Sequence, residues 1–230
     1  FHISPVQYGA QKKRSVLPIA YYILFSLGLS VLYISDILYV RPASYYFTIL
    51  AMCFIIVLQI TSVNSANSSG ILIQIIALGM NIRLTQLFIY PSLVGIDPFW
   101  HQMFTSLILE EGSIPAGYTY SGLPLMHIYI AITTYLTECG YKAASAVTIP
   151  FVQVLITTIL IYTLGNKIID RRVGLLGALL FILSDWSINL GFAVVPNTFA
   201  GIFATILIYL MIIPLSSVQP RGVLWSIIIS

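Results

Sequence analysis

The residues best suited to chemistry crowd into one stretch. From Pro91 to Tyr129 the sequence reads PSLVGIDPFWHQMFTSLILEEGSIPAGYTYSGLPLMHIY, and it holds three of the seven acidic residues and two of the three histidines. Asp97 and His101 stand four apart, which on a helix puts a carboxylate and an imidazole on one face. A carboxylate so placed can act as a general base. With further ligands the pair would contribute to a Mn2+ or Mg2+ site, although imidazole suits Mg2+ poorly. Glu110 and Glu111 add carboxylates, His127 a second imidazole, and Tyr118 and Tyr120 rings and hydroxyls. Each has a plain structural alternative. Asp97 would cap a surface helix, His101 and His127 would pack at an interface, and the glutamates would be solvated at a helix end. The case for a site is joint placement, with a carboxylate, two imidazoles and two glutamates meeting at one membrane face.

Two helices must position these groups. Asp97-Pro98 reads as an N-cap followed by an N1 proline, and the helix should run to about Glu111 and stop at Gly112. After Ile114-Pro115 and a Tyr/Gly-rich turn, Leu123-Pro124 opens a second helix over residues 123–138. On its wheel His127, Ala131, Thr134 and Glu138 share a face, an amphipathic pattern that fits a helix lying at the membrane interface or packed on the protein. An ordinary spanning helix is the alternative.

The rest of the chain is a membrane protein. Of 230 residues 59% are hydrophobic and 7% charged, with mean hydropathy +0.98. A soluble domain, about a quarter charged, could not cover itself with so little charge. The net charge of +3 is small and gives no sign of nucleic-acid binding. Apolar runs of spanning length cover residues 16–34, 45–63, 71–90, 143–165, 173–190 and 198–214. The chain thus divides into a three-helix membrane region at 1–90, an outer loop with amphipathic helices and the candidate site at 91–142, and further membrane helices at 143–230. Lys12, Lys13 and Arg14 place the start of the first helix in the cytoplasm. If 123–138 does not cross, Lys167, Arg171, Arg172 and Arg221 are cytoplasmic too. The loop at 91–142 is then extracytoplasmic, on a prokaryotic plasma membrane or in the ER. The sequon Asn67-Ser68-Ser69 falls on the cytoplasmic side and should stay unmodified. Cys53 and Cys139 form no metal motif, and a disulfide between them is not expected. Phe1 is not a start methionine and residues 223–230 read as the opening of another helix, so the chain reads as part of a longer one. Arg83 is the one basic residue well inside a predicted span. It would either face a polar cavity, meeting a substrate phosphate, or snorkel to the interface. Asp185, near the end of its span, would line the same cavity or reach water.

In order along the chain, GIDPFWH, LILEEGSIP, a Tyr-rich turn and PLMHIY resemble the first outer loop of GT-C glycosyltransferases. The basic turn at 167–172 and the following GLLGALL resemble the core helices of that family, and the likeness covers residues 95–209. It implies a polytopic all-α transmembrane bundle with a helical first outer loop. It also implies sugar transfer from a polyprenyl-phosphate donor to a protein or lipid acceptor, with Asp97 as the key carboxylate. His101 would help hold a metal, and Arg83, His127, Tyr118, Tyr120, Glu110 and Glu111 would contact substrate. Membrane lipids are the other expected partner. Three helices precede the loop where the family usually has one. The stretch DWSINLGFAVVPNT offers Asp185 and Asn197 but no acidic pair, which argues against oligosaccharyl transfer. Two other readings stand beside this one. A transporter subunit would use Arg83 and Asp185 along a substrate path, and a non-catalytic scaffold of GT-C ancestry would keep Asp97 as a cap.

Overall fold

The computed structural model describes residues 8–218, and over these the chain is helical with no strand. Three long helices come first: α1 (Tyr8–Ile34), α2 (Ala43–Thr61) and α3 (Ser68–Ile89). A hairpin of shorter helices follows, α4 (Asp97–Glu111) and α5 (Leu125–Thr137). A continuous helix over Tyr141–Ile168 then begins as α6 (Tyr141–Ala146), passes a π turn at Val147–Phe151 holding Pro150, and continues as α7 (Val152–Ile168). Next are α8 (Arg171–Leu183), α9 (Asp185–Ala193) and α10 (Pro196–Val218). Five helices are long and apolar enough to cross a bilayer, or six if α8 and α9 count as one broken span. The chain is therefore built as a multi-pass helical membrane protein. Residues 223–230 and Arg221 lie outside the described residues.

α3 is the axis of the bundle. Its Ile71, Ile75, Leu78 and Ile82 recur at helical spacing and pack with Met52 and Ile56 of α2 and with Leu175, Leu179 and Ile182 of α8. Among lipid-facing helices such contacts are made by close packing, because lipid tails offer no hydrophobic drive between helices. α7 and α8 show the limit of that closeness. A Cβ on Gly165 would lie 2.6 Å from Gly174 Cα, and one on Gly174 2.5 Å from the Tyr162 carbonyl oxygen, so only glycine fits the crossing. Asp170 in the turn between them caps α8, accepting from the Val173 N–H at 2.8 Å.

One expectation changes here and another is resolved. The run at 173–190 is not one straight helix. Ser184 leaves helical geometry at ψ 135° and its Oγ accepts from the Ser187 N–H at 3.3 Å, so it caps α9 and bends the pair by 50°. An internal N-cap residue has stopped one helix and started another. Asp185 consequently opens α9, exposed, with its carboxylate accepting from Asn189 at 2.9 Å. The second concerns α5. At 13 residues it is about 20 Å long, well short of the roughly 30 Å hydrocarbon core. Of the two placements expected for its amphipathic face, it takes the one packed on the protein and not the wet interface. His127 and Ala131 turn inward with Met126 and Ile130, against Tyr141, Ala144 and Ile149. Tyr135 and Leu136 stay outside at 77% and 73% exposure. Glu138 has left the helix as a left-handed C-cap at φ 55°.

Candidate functional site

α4 ends where the sequence indicates, with Gly112 left-handed at φ 64° and its N–H on the Ile108 carbonyl. Its start differs. Asp97 and Pro98 are the first two helical residues, Ile96 is the flanking one, and no side chain caps the end. The Asp97 carboxylate is therefore not spent as a cap; it is exposed and open to other partners.

Positions 97, 100 and 104 recur at three- and four-residue spacing and share a face. With the turn 118–120 this face encloses a cleft of about 350 Å³. Asp97, Trp100, Met103 and Phe104 form its helical wall, and Tyr118, Thr119 and Tyr120 the other. The turn is held by Ser121, whose Oγ accepts from the Tyr118 N–H and donates to the Pro115 carbonyl. Phe104 is the floor, with Tyr118 5.7 Å and Tyr120 6.3 Å from it by ring centroid.

Beneath lies a buried pair. His101 Nδ1 and His127 Nε2 are 3.0 Å apart, with the residues 1% and 0% exposed. Tyr120 packs on both rings, at 4.8 and 5.2 Å, and Phe104 edge-on to His127 at 4.8 Å. Burial pushes both imidazoles below their ordinary range, His127 to about 4 with repulsion from His101 adding to it, while Asp97 partly offsets the effect on His101. The pair is neutral at pH 7 and joins α4 to α5. His127 Nδ1 has no partner. A bare buried lone pair costs less than a bare N–H. The His127 Nε2–H is thus the donor and His101 Nδ1 the acceptor.

Asp97, Tyr118 and Tyr120 are thus brought together, with His101 and His127 under them. Glu110 and Glu111 are not. They are exposed at the far end of α4, about 20 Å from Asp97 along the helix. Arg83 is also elsewhere. It neither snorkels nor faces the cleft, being 0% exposed with one guanidinium nitrogen on the Ile182 carbonyl at 2.9 Å and the Gly79 carbonyl at 3.3 Å. The other reaches Ser187 Oγ at 2.6 Å. Those bonds assign Arg83 to the α8–α9 bend: it occupies a carbonyl freed where α8 ends. Gly191 packs beside it, where a Cβ would sit at ordinary contact distance, 3.4 Å, from its side chain.

The described residues do not fit a resident Mn2+ or Mg2+. They contain no group of three or more His, Cys, Asp and Glu suited to a metal, and His101 Nδ1 is committed to His127. Asp97 remains as a single protein ligand, so an ion there would need a substrate phosphate and waters to complete its shell.

The sequence reading passed over Lys142. Its ammonium donates to the Tyr90 carbonyl at the end of α3, and it lines an open groove of about 620 Å³ with Pro91, Phe99, Gln102 and Tyr141. The available signal was a lone lysine just inside a span beside Gly140. Trp100 was also passed over, although its spacing from Asp97 and Phe104 marks the face. Comparison with protein-family models, curated proteins and solved structures gives no match to this chain.

Proposed function

We propose that the protein is a membrane glycosyltransferase that moves a sugar from a polyprenyl-phosphate donor to a protein or lipid acceptor on the extracytoplasmic face. The observation that carries this is the cleft: an exposed carboxylate, Asp97, set among aromatic rings in a hairpin between two membrane spans. Aromatic faces carry partial negative charge and stack against the C–H faces of sugars. A carboxylate at such a surface can orient and deprotonate the acceptor.

The reaction balances with these groups. The acceptor O–H or N–H gives its proton to Asp97 as its heteroatom bonds to the anomeric carbon. The bond from that carbon to the phosphate oxygen breaks, and the polyprenyl phosphate leaves with the electron pair. No step needs a metal.

The test is Asp97→Asn in the full-length protein, reconstituted with a polyprenyl-phosphate sugar. Because the Asp97 side chain caps nothing, the fold should be unchanged, while loss of the base should slow transfer by a factor on the order of 10² or more. A variant that transfers sugar at the full rate would remove Asp97 from the chemistry and leave the scaffold reading in its place.

A further inference from the structure

The cleft is unbalanced in charge. Asp97 has no ion pair and no hydrogen bond to its carboxylate among the described residues, and the lining contains no Lys or Arg. The imidazole nearest in sequence, His101, is held neutral by burial. The N-terminus of α4 contributes about half a positive charge, which the full negative charge of Asp97 exceeds. A free anion set directly against Asp97 would be repelled, and without a substrate phosphate beside it one carboxylate is too few ligands for a divalent ion. A neutral sugar would use the rings and leave the charge unanswered. An organic cation with apolar flanks answers both, because its charge is attracted to ring faces and to the carboxylate alike.

We propose that the cleft binds an alkylammonium group carried by the substrate, with the charge between Asp97 and the rings of Trp100, Tyr118 and Tyr120 and its methyl or methylene groups on Phe104. This rests on the reading that the cleft is the substrate site. Two sources share the chemistry, a phospholipid headgroup or a soluble amine. Trp100 at 59% exposure, together with exposed Ile96 and Phe99 on the same turn, gives the cleft mouth the aromatic and apolar rim typical of headgroup depth.

The experiment is calorimetric titration of tetramethylammonium chloride, against sodium chloride, into the full-length protein in phosphatidylglycerol nanodiscs. Saturable binding is expected, weakened about tenfold or more in both Asp97→Asn and Trp100→Leu. No saturable heat in the native protein, or native affinity in Asp97→Asn, overturns the inference. Should Asp97→Asn fail to assemble, Trp100→Leu and Tyr118→Leu decide it, and native affinity in both overturns it. Repeating the titration in phosphatidylcholine nanodiscs separates the sources: competition there identifies the headgroup, and unchanged affinity a soluble amine. Failure here is distinct from failure of the reaction proposed above. Loss of sugar transfer in Asp97→Asn with tetramethylammonium binding intact sinks the ammonium site alone. Loss of binding with transfer intact sinks the catalytic role alone.

Discussion

His101 and His127 illustrate how a residue's protonation becomes the stability of a contact. Both have folded-state values below the ordinary histidine value, so the unfolded chain takes up protons first as pH falls. The contribution of the pair is fully present above about 6.5 and is lost as pH drops through the folded value of His127, about 4. The protection factors of amides along α4 and α5, which discount the slower intrinsic exchange in acid, should therefore fall by about tenfold or more between pH 7 and pH 4.5, and the double variant His101→Phe, His127→Leu should flatten that dependence. Arg83 gives a second prediction. Arg83→Met leaves the Ile182 carbonyl and Ser187 Oγ without their cation in a buried place, at a cost of about 1–3 kcal/mol. It should appear as a lower midpoint in thermal unfolding of the detergent-solubilised protein. The meeting of the two imidazoles was expected from their joint placement, whereas the partners of Arg83 were not legible in the sequence. Arg83 stood out because a lone cation in an apolar run is costly, but its partners lie 99 and 104 positions downstream. Periodicity reports the face a residue shares on its own helix and nothing of the helix opposite. Asp97 and the tyrosines were found because the cleft draws on one helix face and one nearby turn, which are local signals.

At the scale of elements, helices with sharp ends were read correctly and the internal break was not. Pro98 and Gly112 bracket α4 in sequence as they do in space. Ser184-Asp185 carries the chemistry of a helix start, but it lies in a run otherwise apolar enough to pass as one span, and average hydropathy conceals it. α5 was read as short, with its polar face either at the interface or packed on the protein, and the structure has it packed on the protein. The sequence marks two dissimilar faces, and it does not mark that α4 and α6 would cover the polar one. The α7–α8 hairpin supplies the test at this scale. Gly174→Val must move backbone, because the nearest atoms are the Tyr162 carbonyl oxygen and the Asn166 nitrogen. A loss of about 1–3 kcal/mol is expected, measured by denaturant unfolding in micelles, whereas Gly201→Ala, where a Cβ meets nothing within 4 Å, should be neutral.

For the whole molecule, the order of spans makes topology a matter of counting. If α1 starts in the cytoplasm, as its basic residues lead one to expect, α3 would deliver the hairpin outside, α7 would return the 167–172 turn inside, and the loop at 64–67 would stay inside. Cys139 is exposed at the outer end and Cys53 is half-buried in α2, so the native cysteines provide controls. An impermeant maleimide should label Cys139 in intact cells. In a Cys139→Ser background, Ser65→Cys, exposed in the short loop, should label only after permeabilisation; labelling from outside would invert the arrangement. The same order of spans bears on how the protein is made. Arg83 enters the membrane on α3, while Ile182 and Ser187, which hold it, emerge about 100 residues later. At ordinary synthesis rates that is an interval on the order of 5–20 s. An arginine at mid-helix costs about 2.5–3.5 kcal/mol on insertion. During that interval α3 is a reluctant passenger, best kept beside the insertion machinery or against α1 and α2 until the bend between α8 and α9 arrives to receive the charge.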